Sequence, residues 1–110
     1  MVAKFETFID KAGEHRFRLK AGNGEVILAS QGYNAKTGCA NGIESVRTHA
    51  PEDANYERKQ SDSGKFSFNL KSSNHQVIGS SQSYSTAAGR DNGIESVKKN
   101  AADAEVVEAG

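Results

Sequence analysis

A single cysteine, Cys39, stands among 110 residues. No internal disulfide can therefore staple the chain, which excludes the oxidised frameworks of small secreted domains. Tryptophan is absent and Pro51 is the one proline. No apolar run approaches the roughly 18 residues of a membrane-spanning helix. The opening MVAKFETFID lacks the apolar stretch of a secretory signal. These absences lead us to expect a soluble, cytoplasmic protein with no membrane partner. An excess of charge is missing too: the formal net charge is zero, with seven Lys/Arg against five Asp/Glu in residues 1–50 and seven against nine in 51–110. Proteins that live on phosphate contacts carry a basic domain or stripe. Nucleic acid is thus an alternative partner and not the favoured one.

What is present is a repetition. The stretch NGIESV occupies residues 41–46 and recurs at 92–97, 51 residues later. The same offset aligns FRLKAGNGEVILASQGY (17–33) with FNLKSSNHQVIGSSQSY (68–84), and half the positions from Phe17 to Ala50 match their partners. Such agreement marks a tandem duplication. Phe5-Glu6 aligns with Tyr56-Glu57 and again with Val107-Glu108, so the C-terminus reads as a third copy that stops after one strand. We expect one domain of two repeats, residues 1–51 and 52–110, the second carrying that terminal strand.

Within one unit, KFETFID has strand composition. HRFRLKA alternates, with Phe17, Leu19 and Ala21 opposed to Arg16, Arg18 and Lys20. EVILAS is a short third strand. Asn23-Gly24 between the last two predicts a hairpin turn in which both residues tolerate positive φ. A helix follows, capped by Asn34 or Ser85, with small or apolar residues at 35, 39, 43, 46 and 50 on one face. Gly38 and Gly42, like Gly89 and Gly93, lie inside it at a cost of roughly 1 kcal/mol each against alanine, which predicts close approach of the helix to the sheet. Pro51 ends the first helix. The order strand, strand, strand, helix, read twice, predicts an α+β fold: a tandem β-β-β-α duplication with a final C-terminal strand, one mostly antiparallel sheet and two helices on one face. One such unit alone would have open edges and a small core. Two joined units make a fused dimer with a local twofold axis, so we expect a monomer with internal pseudo-twofold symmetry.

The doubled pattern F-x-L-K, N, V-I, S-Q, Y and G-I-E-S-V resembles the YegP-like bacterial proteins of unknown function, over nearly the whole chain. The resemblance implies units of three strands and a helix plus a final strand, with terminal strands exchanged between units in a single sheet. It implies no catalytic residues.

The candidate sites are weak beside their structural explanations. Cys39 has no base beside it and is replaced by Arg90 in the second copy, so it reads as helix packing. His15, His49 and His75 lack a second ligand at metal spacing and read as surface residues. Glu44 and Glu95 read as exposed helix surface, and AGNG, in a hairpin and not before a helix, is no phosphate cradle. The strongest candidate is a polar sheet face bearing Lys20, Lys71, Arg16 and Arg18, bordered by Gln31, Gln82, Tyr33 and Tyr84. We expect a non-catalytic binding or interaction module without a cofactor or metal, its partner unknown. A nucleic-acid binder is the alternative, and a small hydrolase using Cys39 or Glu44 ranks third.

Overall fold

The alternation in HRFRLK gives its two faces opposite fates. Phe17 and Leu19 are fully buried, while Arg16, Arg18 and Lys20 stay partly exposed on the other side. A computed structural model describes residues 3–108. The first repeat holds β1 (Lys4–Ile9), β2 (His15–Lys20), β3 (Val26–Ala29) and α1 (Lys36–His49). A 3-10 turn, Asp53–Asn55, leads into β4 (Tyr56–Gln60), β5 (Phe66–Lys71), β6 (Val77–Ser80), α2 (Ala87–Asn100) and β7 (Glu105–Glu108). The seven strands form one sheet in the order β4-β5-β6-β3-β2-β1-β7. All neighbours are antiparallel except β7, which runs parallel to β1. This is the expected α+β architecture, a mostly antiparallel sheet with two helices.

The repeats meet where β3 pairs with β6, at Ala29 and Ser80, and the pseudo-twofold axis passes there. Each helix reaches across it: α1 contacts β2, β5 and β6, and α2 contacts β5 and β3. Neither repeat encloses its own core. Phe5, Phe17, Leu19, Phe68 and Leu70 from the sheet share one cluster with Ile43, Val46, Ile94 and Val97 from the helices. Fully burying such a side chain stabilises by about 1.5–3 kcal/mol, so neither half can shed the other cheaply.

The glycines inside the helices have a specific neighbour. A Cβ on Gly42 would stand 2.5 Å from the Tyr33 hydroxyl and 3.0 Å from the Phe17 ring. A Cβ on Gly93 would meet the Tyr84 hydroxyl in the same way. Close approach was expected; the object approached is a tyrosine ring at the end of each sheet segment, wedged under the helix.

Three local expectations are corrected. Asn34 and Ser85 do not cap the helices. The N-cap positions are Ala35 and Thr86, and the Thr86 side chain accepts the Gly89 N–H at 2.9 Å, whereas Ala35 has no oxygen to offer. The hairpin at Asn23-Gly24 is not a turn with two positive-φ residues. Gly24 alone has positive φ, at 88°, and Asn23 instead accepts the Glu25 N–H with its side chain. Residues Asp10–Gly13, Ala21–Gly24, Ser61–Gly64 and Ser72–His75 close in the same way, with a left-handed fourth residue. That residue is glycine three times and His75, at φ 67°, once.

The third correction concerns β7. The terminal strand does join the sheet, yet it does not occupy a place equivalent to Phe5-Glu6 or Tyr56-Glu57. Phe5-Glu6 pairs antiparallel with β2, and Tyr56-Glu57 with β5. With no third hairpin to join, β7 lies outside β1, and Val106, not Val107, stands level with Phe5. The C-terminal strand of the second repeat thus covers the edge of the first.

Candidate binding site

The polar face divides once its side chains are placed. Arg16, Arg18 and Lys20 project from β2 away from the helices, and β1 supplies acids opposite them. The Arg18 guanidinium lies 2.5 Å from Glu6, and Lys20 Nζ 3.2 Å from the same carboxylate. Arg16 Nε lies 2.5 Å from Asp10. In the second repeat Lys71 pairs with Glu57 at 3.1 Å, and Asn69, in place of an arginine, donates to the same carboxylate. Arg18, and then Lys20, hold the Glu6 carboxyl below the usual carboxylate range. Arg16 does the same for Asp10 and Lys71 for Glu57. Arg18 also stacks on Phe8, 4.7 Å from the ring centre.

Tyr33 and Tyr84 are not on that face. Both pack on the helix side against the buried core, where burial pushes their phenols up. Gln31 and Gln82 are exposed strand-end residues. They follow Ser30 and Ser81, a pair the repeat alignment matches but whose role it does not reveal. Each serine hydroxyl accepts the N–H of Phe17 or Phe68 and donates to the next carbonyl. These serines are structural plugs where the strands separate.

The remaining candidates resolve similarly. Cys39 is buried, and burial pushes its thiol up, away from the thiolate that nucleophilic chemistry requires. His49 departs from the surface reading: its Nδ1 lies 2.8 Å from the Ser45 carbonyl and its Nε2 accepts the Ser73 N–H at 3.2 Å. It latches α1 to the β5–β6 turn. Glu44 and Glu95 make one-turn helix pairs with Arg47 and Lys98. No group of three or more His, Cys, Asp or Glu could hold a metal among the described residues.

A groove that sequence reasoning missed lies at the outer end of the first repeat. Thr7 and Ile9 of β1, Ala40 and Ile43 of α1, and Val106 of β7 enclose a concavity of about 460 Å³, with Lys36, His15 and Glu108 at its rim. Ile9 and Val106 are 64% and 50% exposed. Lys36 pairs with Glu108 at 2.7 Å. At the equivalent place in the second repeat, Thr7, Ile9 and Ala40 become Arg58, Gln60 and Asp91. There Arg58 bonds Asp53 at 3.1 Å and Asp91 at 3.3 Å, and Lys98 reaches Asp53 at 2.8 Å. The signal in the sequence was therefore this loss of polar partners between aligned positions.

Comparison with known proteins agrees with this architecture. The family described as Domain of unknown function (DUF1508) matches twice, over residues 10–57 and 61–108, at the spacing of the NGIESV copies. The UPF0339 protein in the ptx operon 5′ region of Stutzerimonas stutzeri is 64% identical over 110 residues, covering 100% of this chain and 99% of that protein. The UPF0339 protein YegP of Escherichia coli K12 is 52% identical over 100 residues, covering 91% of each. The solution structure of the Escherichia coli protein, itself of unknown function, superposes with a TM-score of 0.93 at 49% identity, covering 98% of this chain and 93% of that one. A solution structure of a UPF0339 protein from Shewanella oneidensis gives 0.92 at 46% identity, covering 98% and 92%. No helix among the described residues is long and apolar enough to cross a membrane. In sequence, repeat spacing and fold alike, the chain belongs to the DUF1508 family of YegP-like UPF0339 proteins.

Proposed function

We propose that the protein is a non-catalytic binding module, a cytoplasmic monomer that takes a small apolar molecule with an acidic head in the groove between β1, β7 and α1. The observation that carries this reading is the uncovered pair Ile9 and Val106, which converge with Ala40 and Ile43 on a concavity of about 460 Å³. That volume falls in the range of small-ligand sites, roughly 300–1,000 Å³. An apolar body would cover the exposed side chains. The acidic head would take Lys36, whose present partner Glu108 is an exposed strand-end carboxylate. The polar face is less suited to an anion, because Glu6, Asp10 and Glu57 already neutralise its cations. Cys39 is sealed in the core and offers no accessible nucleophile.

The test is an NMR titration with decanoate, using methyl signals of Ile9, Ile43 and Val106. Saturable shifts confined to those residues are expected, lost in Ile9→Asp and weakened in Lys36→Ala. Decanol should bind more weakly than decanoate. Shifts scattered over the surface, or none, would overturn the assignment.

A further inference from the structure

The sheet is one strand short of its own symmetry. β1 and β4 are equivalent by the repeat, and each pairs on its inner side with the following strand. On its outer side β1 carries β7, while β4 ends the sheet. Strand alternation shows which groups are left there. The Phe68 N–H and carbonyl bond to Ser81, toward β6. Its partner Arg58 therefore directs its own N–H and carbonyl away from β5, and Tyr56 and Gln60 point the same way. The Tyr56 N–H is closed by the Asp53 carbonyl. The Tyr56 carbonyl, both Arg58 groups and those of Gln60 face outward from the edge strand. On β1, the equivalent strand, Lys4–Thr7 is covered by β7, whose Glu105 N–H donates to the Ala3 carbonyl.

We propose that the free edge of β4 docks an extended acidic segment of a partner protein as an eighth strand, parallel to β4 in the way β7 lies on β1. Strand addition to an open edge supplies affinity through main-chain bonds and specificity through alternate side chains. The charge on β4 selects the occupant. Glu108 stands level with Thr7 on the first repeat and finds its cation, Lys36, on the helix. In the second repeat Lys36 is replaced by Ala87, and the cation sits on the strand as Arg58, with Lys59 exposed beside it on the opposite face. An acidic residue at the Glu108 level would meet Arg58 there and share it with Asp53 and Asp91, while the exposed Lys59 adds positive charge to the strand. The same charges discourage a neutral or basic strand, which is how open edges avoid indiscriminate pairing. This inference is independent of the groove in the first repeat.

The probe is a capped peptide of residues 103–108, Asp-Ala-Glu-Val-Val-Glu, titrated into the labelled full-length protein. The Arg58 amide should shift saturably, and its exchange should slow. Because the Glu105 N–H faces β1, the Val107 N–H faces it too and that of Val106 points away. N-methylation at residue 107 should therefore weaken the peptide about tenfold, the scale of one lost hydrogen bond. Methylation at residue 106 should leave binding unchanged. A peptide carrying Glu108→Lys should bind more weakly, as should the parent peptide to an Arg58→Glu variant whose spectrum remains folded. Shifts confined to Lys4–Ile9 would mean exchange with β7 in its own seat and would overturn the proposal. So would the absence of shifts, or equal effects of the two methylations. A doubled mass by light scattering without peptide, abolished by Arg58→Glu, would assign the edge to a second copy and overturn it as well.

Discussion

The two repeats agree in backbone and differ where duplication freed them to differ. On the axis, Leu28 and Gly79 are equivalent residues, and the fully buried Leu28 side chain fills the space that a Gly79 side chain would need: a Cβ there would stand 2.7 Å from Leu28 Cγ. A symmetric dimer of identical units could not place a large residue and a small one at the same position. At the outer ends the difference is chemical. The first repeat has Phe5, Thr7, Ile9 and Ala40 beside an added strand; the second has Tyr56, Arg58, Gln60 and Asp91 beside an open edge. Arg90 takes the place of Cys39 and lies over Phe66, 5.5 Å from the ring centre, while pairing with Asp91 at 3.2 Å. One fold therefore presents an apolar groove at one end and an ion-pair network at the other.

The sharpest way to break the comparison is to equalise the axis. Gly79→Leu should destabilise by about 3 kcal/mol through overpacking, and Leu28→Gly by about 4 kcal/mol through the cavity and the added backbone freedom. The exchanged pair, Leu28→Gly with Gly79→Leu, should recover most of both losses. Chemical denaturation of all three variants measures the coupling, and strict additivity would refute the large-small complement.

Removing residues 105–110 makes the first repeat's edge resemble the second's. With Val106 half exposed, the loss is a few ladder hydrogen bonds and little buried area, about 2 kcal/mol. The shortened chain should also self-associate through bare β1, as read by light scattering. An unchanged melting temperature and mass would show that β7 protects nothing.

The β2–β3 and β5–β6 turns differ at their left-handed residue, Gly24 against His75. Since non-glycine residues in the left-handed region cost roughly 1 kcal/mol, His75→Gly should stabilise by about that amount in thermal unfolding. Gly24→His should destabilise similarly. Opposite signs would show that the His75 side chain contributes more than its backbone strain.

The smallest effect concerns acid. Arg58, and then Lys98, hold the Asp53 carboxyl down to about 2 from its ordinary 3.8. A depressed folded-state value stabilises above the unfolded one, and that contribution fades as pH falls from about 4 to about 2. Asp53→Asn should flatten the acid limb of the stability curve in that window. Its equivalent in the sequence of the first repeat, Val2, has no carboxylate to titrate. A parallel acid limb in the variant would show that the network contributes nothing to it.

The fold was legible because its signals are duplicated. HRFRLKA and FSFNLKS share one alternation, and the two NGIESV copies mark one helix face twice. What the sequence concealed were relations between distant segments. Nothing local shows that Tyr33 turns under Gly42, or that Lys20 lies beside Glu6. The groove needed three elements brought together, β1, α1 and β7, and its residues are ordinary one by one. The cap was misplaced by one residue because Asn34 and Ser85 are good capping types, whereas the entry geometry selects Ala35 and Thr86. Capping preference names suitable residues, and the path of the chain decides which one is used.

The position of β7 also bears on how such a chain can change length. β7 is the third copy of the opening strand, lies beside it and runs the same way. The fold thus carries a spare for its own first strand. Cutting the chain between repeats and rejoining its ends would leave each hairpin with a strand of the right direction within reach. Lengthening it by another hairpin and helix would give β7 the inner partner it lacks. A sheet that begins and ends with the same strand is open-ended by construction, and its gene can be permuted or extended one unit at a time without inventing a new edge.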